Sequence, residues 1–571
     1  MEKIRKIKNF FNIFKINAYI IPKNDEFFSE YVQEKKDNLR FVTNFTGSFG
    51  FALILKNDNY LFVDGRYTLQ AKFQSGKMFK VITIPNKLPE DILKNKKLKI
   101  GFDPKLHTEI NLHQLFNKTN CQMVPIKQNL VDKIWKRRLN NRSNKFFKLH
   151  DRDVGQSSNK KINIVANLLI KEKLNMQFIT APENVAWLLN IRGSDSKFSP
   201  IPNCYAMIDH KKDVNLFCDL TKIDKKIRKY LQNVKIININ NIEKYLSEIN
   251  NKKIQIDTST CSVFFNLIIK KNNQLFKKYD SIYSLKSIKN KVEIKNTIKS
   301  HILDGAALTR FLFWVKKNFK RKKISELSAE KKLLTFRKQS RHFKYLSFPT
   351  ISGSGPNGAI VHYKVNKQTN RSLKVGDLYL VDSGGQYKYG TTDVTRTISL
   401  DNHQSRIKNI FTRVLKGHIA VANYKITKNT VGSEIDYVAR KFLKQINLDY
   451  SHGTGHGVGY FLNVHEGPHS ITKKNNVKFS EGVIVSNEPG YYEEGKFGIR
   501  IENLIRVKKN NGLQFENLTM APIDQSLIEK KLLNAGELKW LNAYHKKVFN
   551  NLKNYMNKYE LIELKKSCSS I

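Results

Sequence analysis

Cysteine is scarce in this chain of 571 residues: there are five, Cys121, Cys204, Cys218, Cys261 and Cys568, and no two form a C-x-x-C pair. A disulfide framework and a cysteine-ligated zinc site are therefore not expected, and a reducing compartment such as the cytoplasm fits best. No apolar run approaches the roughly 18 residues of a membrane-spanning helix, so no membrane partner is expected. The first 15 residues lack the long apolar stretch and small-residue cleavage site of a secretory leader, and Glu2 is acidic. They are expected to form the first amphipathic helix of a folded domain, running into a strand at Asn17–Pro22. Negative charge is also scarce: 49 acidic residues face 101 basic ones, a formal charge of +52. Such a balance usually points to nucleic acid. Here lysine outnumbers arginine about four to one, and residues 351–510 alone hold 23 basic against 13 acidic residues. The excess is spread over the whole chain, as solvated lysines on every face would be, and no specific nucleic-acid partner is expected. What is present, 40% apolar and 11% aromatic residues, suffices for two to four domains with full cores.

The first 300 residues carry a weak internal repeat. Ala18–Pro22 is echoed by Gln177–Pro182, Thr43–Ser48 by Leu189–Ser194, and Leu61–Asp64 by Leu216–Asp219. The order and spacing predict two copies of one α/β domain, with helical patterns such as Ile162–Lys173 between strands. The boundary between copies is placed in the polar stretch Asn140–Lys161, with a loop at Gly155–Asn159. A third region opens with a long helix over Lys286–Phe319, its apolar face made of Ile294, Ile298, Ile302, Ala306, Leu308 and Phe311. Beyond Gly353 glycine, histidine and acidic residues become dense. Leu527–Tyr559 is helical again, with Leu532, Leu533, Leu538, Trp540 and Leu541 on one side. The resulting division is 1–150, 151–285, 286–515 and 516–571.

Four segments of the third region carry chemistry. Strand patterns around Asp382 and Asp393, joined through glycines, predict an antiparallel return that sets the two carboxylates side by side, where they repel unless a cation separates them. His452 and His456 stand in a segment with four glycines in eight residues, His452 to Gly459, too rich in glycine for a zinc-binding helix. His465 and Glu466 precede Gly467-Pro468. Glu488 ends an apolar strand before Pro489-Gly490, and Arg500 and Glu502 share one face of the next strand while Ile499 and Ile501 share the other. Two Asp, two Glu and one His suit Mn²⁺, with Co²⁺, Fe²⁺ or Zn²⁺ as alternatives, and four carboxylates exceed the needs of one metal. Two metals sharing carboxylates would generate a nucleophile at neutral pH and polarise a carbonyl.

The strings Val381–Gly384, Gly390–Thr397, Gly453–Gly459, Phe461–Pro468 and Glu488–Tyr492 resemble those of the pita-bread metallopeptidases, and specifically the long three-domain cytosolic aminopeptidase P type. Ala18–Pro22 and Val63–Tyr67 resemble that type as well. The resemblance implies an α/β fold with two similar N-terminal domains, a pita-bread catalytic domain and a C-terminal helical extension. It implies two divalent metals with a bridging hydroxide, held by Asp382, Asp393, His456, Glu488 and Glu502, with Asp393 and Glu502 as the bridges. It further implies substrate contacts from His362, His452 and His465, a proton acceptor in Glu488, and support of the ligand shell by Arg500. The implied activity is release of the N-terminal residue from peptides with proline second, by a homodimer. An Xaa-Pro dipeptidase, or less favourably a peptide-binding module on the same fold, is the alternative. Asn487, before Glu488, is the one departure from the family pattern, and bears on metal tuning at most.

Overall fold

The computed structural model describes residues 1–136, 144–388, 390–401 and 403–571. It comprises two compact units, one made of residues 1–150 and 156–282, the other of 151–155 and 283–571.

The first unit contains the duplication. In one six-stranded sheet the order across the sheet is Lys80–Ile84, Asn59–Asp64, Phe51–Leu55, Ala18–Pro22, Lys99–Phe102 and Gln122–Pro125. In the other it is Val234–Asn238, Val214–Cys218, Cys204–Asp209, Met176–Ile179, Lys253–Ile256 and Gln274–Lys277. The pairing directions also match: each sheet has two antiparallel pairs at its centre and parallel pairs outside them. The echoed strings fall on equivalent elements. Leu61–Asp64 and Leu216–Asp219 belong to corresponding strands. Thr43–Ser48 and Leu189–Ser194 each lie at the end of a short helix, and each places an asparagine, Asn44 (φ 65°) and Asn190 (φ 51°), in the left-handed conformation. Asparagine tolerates that region better than most residues, so the repeat preserves a helix stop as well as apolar strands. The N-terminal segment is helical over Glu2–Lys8 and Phe10–Ile13, with Ile4, Ile7 and Phe11 buried. The expected boundary differs in detail. Residues 140–143 lie outside the described set. Phe147–Lys148 pairs with Ile191–Arg192, and Ser157 caps the helix Ser158–Lys171, which shortens the expected loop.

In the second unit the long helix spans Lys291–Asn318, five residues later than expected at its start. The Asn290 side chain accepts hydrogen bonds from the Val292 and Glu293 backbones while the Glu293 carboxylate accepts one from the Asn290 N–H, a reciprocal cap that fixes the start. The expected apolar face is also corrected. Ala306, Leu308 and Phe311 are buried, but Ile294, Ile298 and Ile302 are only half-buried, while Thr297, Ser300, His301 and Asp304 are buried fully. Asp304 is there because Arg337 donates to both its oxygens (2.7 and 3.2 Å) and Tyr387 to one (2.8 Å). Arg337 also reaches the hydroxyl of Ser383, next to Asp382 (3.1 Å). Gly305 lets the helix meet residue 520: a Cβ there would lie 2.0 Å from the Met520 carbonyl oxygen. Alanine gains about 1 kcal/mol of helix propensity over glycine, but overpacking costs about 1–3 kcal/mol or more. Gly305→Ala is therefore expected to lower the urea midpoint; an unchanged or higher midpoint would contradict this packing.

The strands Ile351–Ser354, Leu378–Ser383 and Val394–Ser399 form one antiparallel sheet, and Ile484–Asn487 pairs with Asn503–Lys509 in another. Helix Ser405–Ala422 buries Phe411, Val414, Leu415 and Ile419 against Ile499 and Ile501 and against the tail residues Leu541, Val548, Leu552 and Leu564. The tail is helical over Ala535–Leu552 and Lys558–Ser567, and Trp540 stacks on Tyr544 within this same core. Among the described residues no helix is long and apolar enough to cross a membrane.

Candidate metal centre

Asp382 sits near the end of Leu378–Ser383, opposite Thr395. Asp393 immediately precedes the partner strand, so the expected antiparallel return does bring the two carboxylates to one place. Glu502 joins them through Thr395, whose carbonyl accepts from the Glu502 backbone (3.2 Å) and whose hydroxyl donates to its carboxylate (2.7 Å). Glu488 follows the strand Ile484–Asn487 and is held by its backbone N–H on the Thr454 carbonyl (2.8 Å). His456 lies on the short strand Gly455–His456, paired with Ser470–Ile471, and is not helical. The glycine density around it has a steric reason: a Cβ on Gly455 or Gly457 would come within 2.0 or 2.1 Å of the carbonyl oxygens of Ser486 and Glu466.

Ligand-type atoms of Asp393, His456 and Glu502 lie within 4.8 Å of one another. His456 Nε2 is 3.4 Å from both Asp393 Oδ2 and Glu488 Oε1. Its Nδ1 is 3.0 Å from the Gly457 carbonyl, which can only accept, so the ring proton sits on Nδ1 and the Nε2 lone pair faces the two carboxylates. That arrangement repels until a cation or proton lies between. Burial first, then crowding by neighbouring carboxylates, holds Asp393 and Glu502 well above the ordinary carboxylate range. Glu488 is raised as well, by burial first. Asp382 Oδ1 and Asp393 Oδ1 are buried and accept no hydrogen bond among the described residues. Buried oxygens without donors, beside an oriented imidazole, are what a divalent-cation site needs; the donor set fits it.

Arg500 spans the rear of the site. It donates to Asp382 Oδ2 (2.7 Å), to the Thr395 hydroxyl (3.0 Å) and to the Tyr492 hydroxyl (2.6 Å). Tyr492, accepting from Arg500, gives its own proton to His452 Nε2 (2.8 Å), while His452 Nδ1 faces the Gly453 carbonyl (2.7 Å). Both nitrogens of His452 are thus occupied within the protein. The rings of His465 and His456 are 4.2 Å apart. His362 is half-buried on the loop before Leu378–Ser383. Its loop lies against the Tyr492–Arg500 hairpin, where Gly358 and Gly498 meet so closely that a Cβ on Gly498 would be 1.8 Å from the Gly358 carbonyl oxygen. Asn487 points away from Glu488, as alternation on a strand requires, and donates to the His418 carbonyl (2.9 Å).

Sequence reasoning missed several supports. Tyr492 ends the string Glu488–Tyr492, and nothing in that string assigns it a role. Lys286 and Lys289 donate to Glu466 (2.7 and 2.6 Å), with all three side chains 1–2% exposed, and nothing in a lysine-rich sequence distinguishes those two lysines. Glu466 lies beside His465, and its backbone N–H reaches the Gly457 carbonyl (2.8 Å).

Comparison with known proteins decides the family. Residues 295–509 match the profile of metallopeptidase family M24, and 511–571 match its C-terminal region. Residues 3–134 and 137–293 each match the creatinase/prolidase N-terminal domain. A probable Xaa-Pro aminopeptidase P of Laccaria bicolor is 39% identical over 95% of this chain and 89% of its own length. The chain belongs to the aminopeptidase P branch of metallopeptidase family M24. An Xaa-Pro aminopeptidase 1 of Dictyostelium discoideum is 35% identical over 96% of this chain and 92% of its own. The crystal structure of X-prolyl aminopeptidase from Caenorhabditis elegans, described as a cytosolic enzyme with a di-nuclear active site, superposes with a TM-score of 0.94 at 30% identity, covering 100% of this chain and 99% of that one. The prolidase of Pyrococcus horikoshii covers 64% of this chain at a TM-score of 0.53 and 22% identity, a likeness of fold alone. The fold is thus two creatinase-type α/β domains followed by a pita-bread domain with a helical tail.

Proposed function

We propose that this chain is a metallo-aminopeptidase that releases the N-terminal residue from peptides with proline second, and that Asp382, Asp393, His456, Glu488 and Glu502 hold its two divalent cations. The observation that carries the reading is the convergence of Asp393, His456 and Glu502 from three separate chain segments within 4.8 Å. A cation pair there supplies a nucleophilic water at neutral pH and polarises the scissile carbonyl. Oxygen-rich ligation with a single imidazole favours Mn²⁺, with Co²⁺ or Zn²⁺ as alternatives.

The chain's own groups do the rest. Asp393 and Glu502, which burial and neighbouring carboxylates hold well above the ordinary carboxylate range, would be shared by the cations, and Asp382, His456 and Glu488 would complete the donor set. Glu488, whose Oε1 accepts from the Ser486 hydroxyl (3.0 Å), takes the proton of the attacking water. An Xaa-Pro bond is a tertiary amide with no N–H for the site to hold, and its nitrogen, like any amide nitrogen, leaves only after receiving a proton. His362, His452 and His465 are assigned to substrate, to hold the carbonyl oxygen and relay that proton. His452 does so by exchanging its hydrogen bond to Tyr492. We further place the enzyme in the cytoplasm as a homodimer, with domains at 1–150, 151–285, 286–515 and 516–571. Four profile matches in the same order support the division, and the cytosolic neighbour supports the location.

The test is product analysis on Arg-Pro-Pro, Arg-Ala-Ala and Arg-Pro. Arginine is expected from the first alone. Cleavage of Arg-Pro in preference to Arg-Pro-Pro would replace this reading with a dipeptidase.

A further inference from the structure

Glu326 is the first residue of helix Glu326–Lys338, and it is fully buried. Four donor groups converge on its carboxylate. The Ser354 backbone N–H and Asn357 Nδ2 reach Oε1 (2.8 and 3.0 Å). Asn357 Nδ2, the Tyr363 hydroxyl and the Arg371 backbone N–H reach Oε2 (3.0, 2.9 and 2.9 Å). None of these donors is a cation, and all belong to residues 354–371. That segment connects the strands Ile351–Ser354 and Leu378–Ser383, and contains one short helical turn, Gly355–Ala359. A connection of this length normally has loose internal order. Here both its ends and its middle converge on one buried anion, and Asn357 Nδ2 also donates to the Thr369 carbonyl (2.9 Å). His362 is next to Tyr363. Burying a carboxylate is costly unless it is fully hydrogen-bonded, and no motif for metal ligation includes Glu326.

We propose that Glu326 is a positioning residue: its buried carboxylate fixes the loop that presents His362 to the substrate. The inference rests on the assignment of His362 to substrate contact above. An amide cannot replace the carboxylate, because its NH₂ would face the donors now shared between the two oxygens. A displacement of about 1 Å in a substrate-positioning group costs up to about 100-fold in rate.

The test is a double-mutant cycle on Arg-Pro-Pro with the full-length, metal-loaded enzyme, comparing wild type, Glu326→Gln, His362→Ala and the double variant. Metal content and thermal unfolding are measured in parallel. Glu326→Gln is expected to lower kcat/KM about tenfold or more with bound metal unchanged. The double variant is expected to fall no further than His362→Ala, because the carboxylate acts through that side chain. A loss unrelated to His362 would multiply instead, and would overturn the inference. So would a Glu326→Gln enzyme within about twofold of wild type. If His362→Ala itself has full activity, the assignment of His362 fails; an impaired His362→Ala beside an unimpaired Glu326→Gln fails the positioning role alone. Should Glu326→Gln not fold, Tyr363→Phe removes one donor and keeps the carboxylate. It is expected to lower kcat/KM about threefold in the wild type and not at all in His362→Ala, and a multiplicative loss there overturns the inference equally.

Discussion

Asp393→Asn is expected to abolish Xaa-Pro hydrolysis, by about a thousandfold or more, while making the chelated protein more stable than the wild type. The first effect follows from its place. Asp393 Oδ2 is the oxygen 3.4 Å from His456 Nε2, and its carboxylate stands with Glu502 at the centre of the donor set. Removing it forfeits several kcal/mol of transition-state charge stabilisation, and each 1.4 kcal/mol is tenfold in rate. The second effect has the opposite sign. Without cations the buried carboxylates of Asp382, Asp393, Glu488 and Glu502 repel, and burial and that crowding already resist ionisation of Asp393. An isosteric neutral side chain relieves the repulsion and leaves the packing in place. Thermal unfolding in chelator checks this: the variant should melt higher, and added Mn²⁺ should raise its melting temperature far less than that of the wild type. A variant that melts lower in chelator, or retains hydrolysis, would contradict the site.

The second large effect is expected at Glu466. Its carboxylate separates Lys286 from Lys289 in an interior where all three side chains are 1–2% exposed. Both lysines hold Glu466 ionised in spite of its burial. Glu466→Gln leaves two buried ammonium groups facing each other with no anion between, a loss of about 3–5 kcal/mol. The damage reaches the site, since the Glu466 backbone anchors the loop between His456 and His465 through Gly457. Replacing the whole triad by apolar residues of similar volume, Lys286→Met, Glu466→Leu and Lys289→Met, should recover much of the lost stability, because the cost lies in unpaired charge. Urea midpoints measure both. A Glu466→Gln variant within about 1 kcal/mol of wild type would contradict the account.

How much of this was legible beforehand depended on whether the signal was local. The N-terminal duplication was legible because equivalent strands kept similar apolar strings and equivalent helix stops kept asparagine, as at Asn44 and Asn190. The glycine-dense segment around His456 was readable as non-helical, since propensity and close backbone approach agree there. The antiparallel return of Asp382 and Asp393 followed from strand pattern alone. The long helix was found, but half of its expected apolar face is only partly buried. Apolar periodicity marked Ile294, Ile298 and Ile302, whereas the buried side carries Thr297, Ser300, His301 and Asp304. Asp304 is buried because Arg337 and Tyr387, more than 30 residues away in sequence, arrive to satisfy it, while Thr297, Ser300 and His301 bond back to carbonyls of their own helix. Lys286, Lys289 and Glu326 were silent for the same reason: a charged side chain reads as solvated until its partner is known. The sequence put His452 forward as a substrate histidine, and only geometry reveals that its two nitrogens are taken by Tyr492 and Gly453.

The central claim is that five side chains of this chain bind two cations and that proline-specific hydrolysis depends on them. Titrating chelated enzyme with Mn²⁺, while following bound metal and arginine release from Arg-Pro-Pro and Arg-Ala-Ala, tests it most directly. The account predicts no hydrolysis before metal is added, binding that saturates at about two ions per chain, restored cleavage of the proline peptide alone, and neither binding nor cleavage restored in Asp393→Asn. Proline-specific hydrolysis by metal-free enzyme, or full restoration in Asp393→Asn, would contradict it.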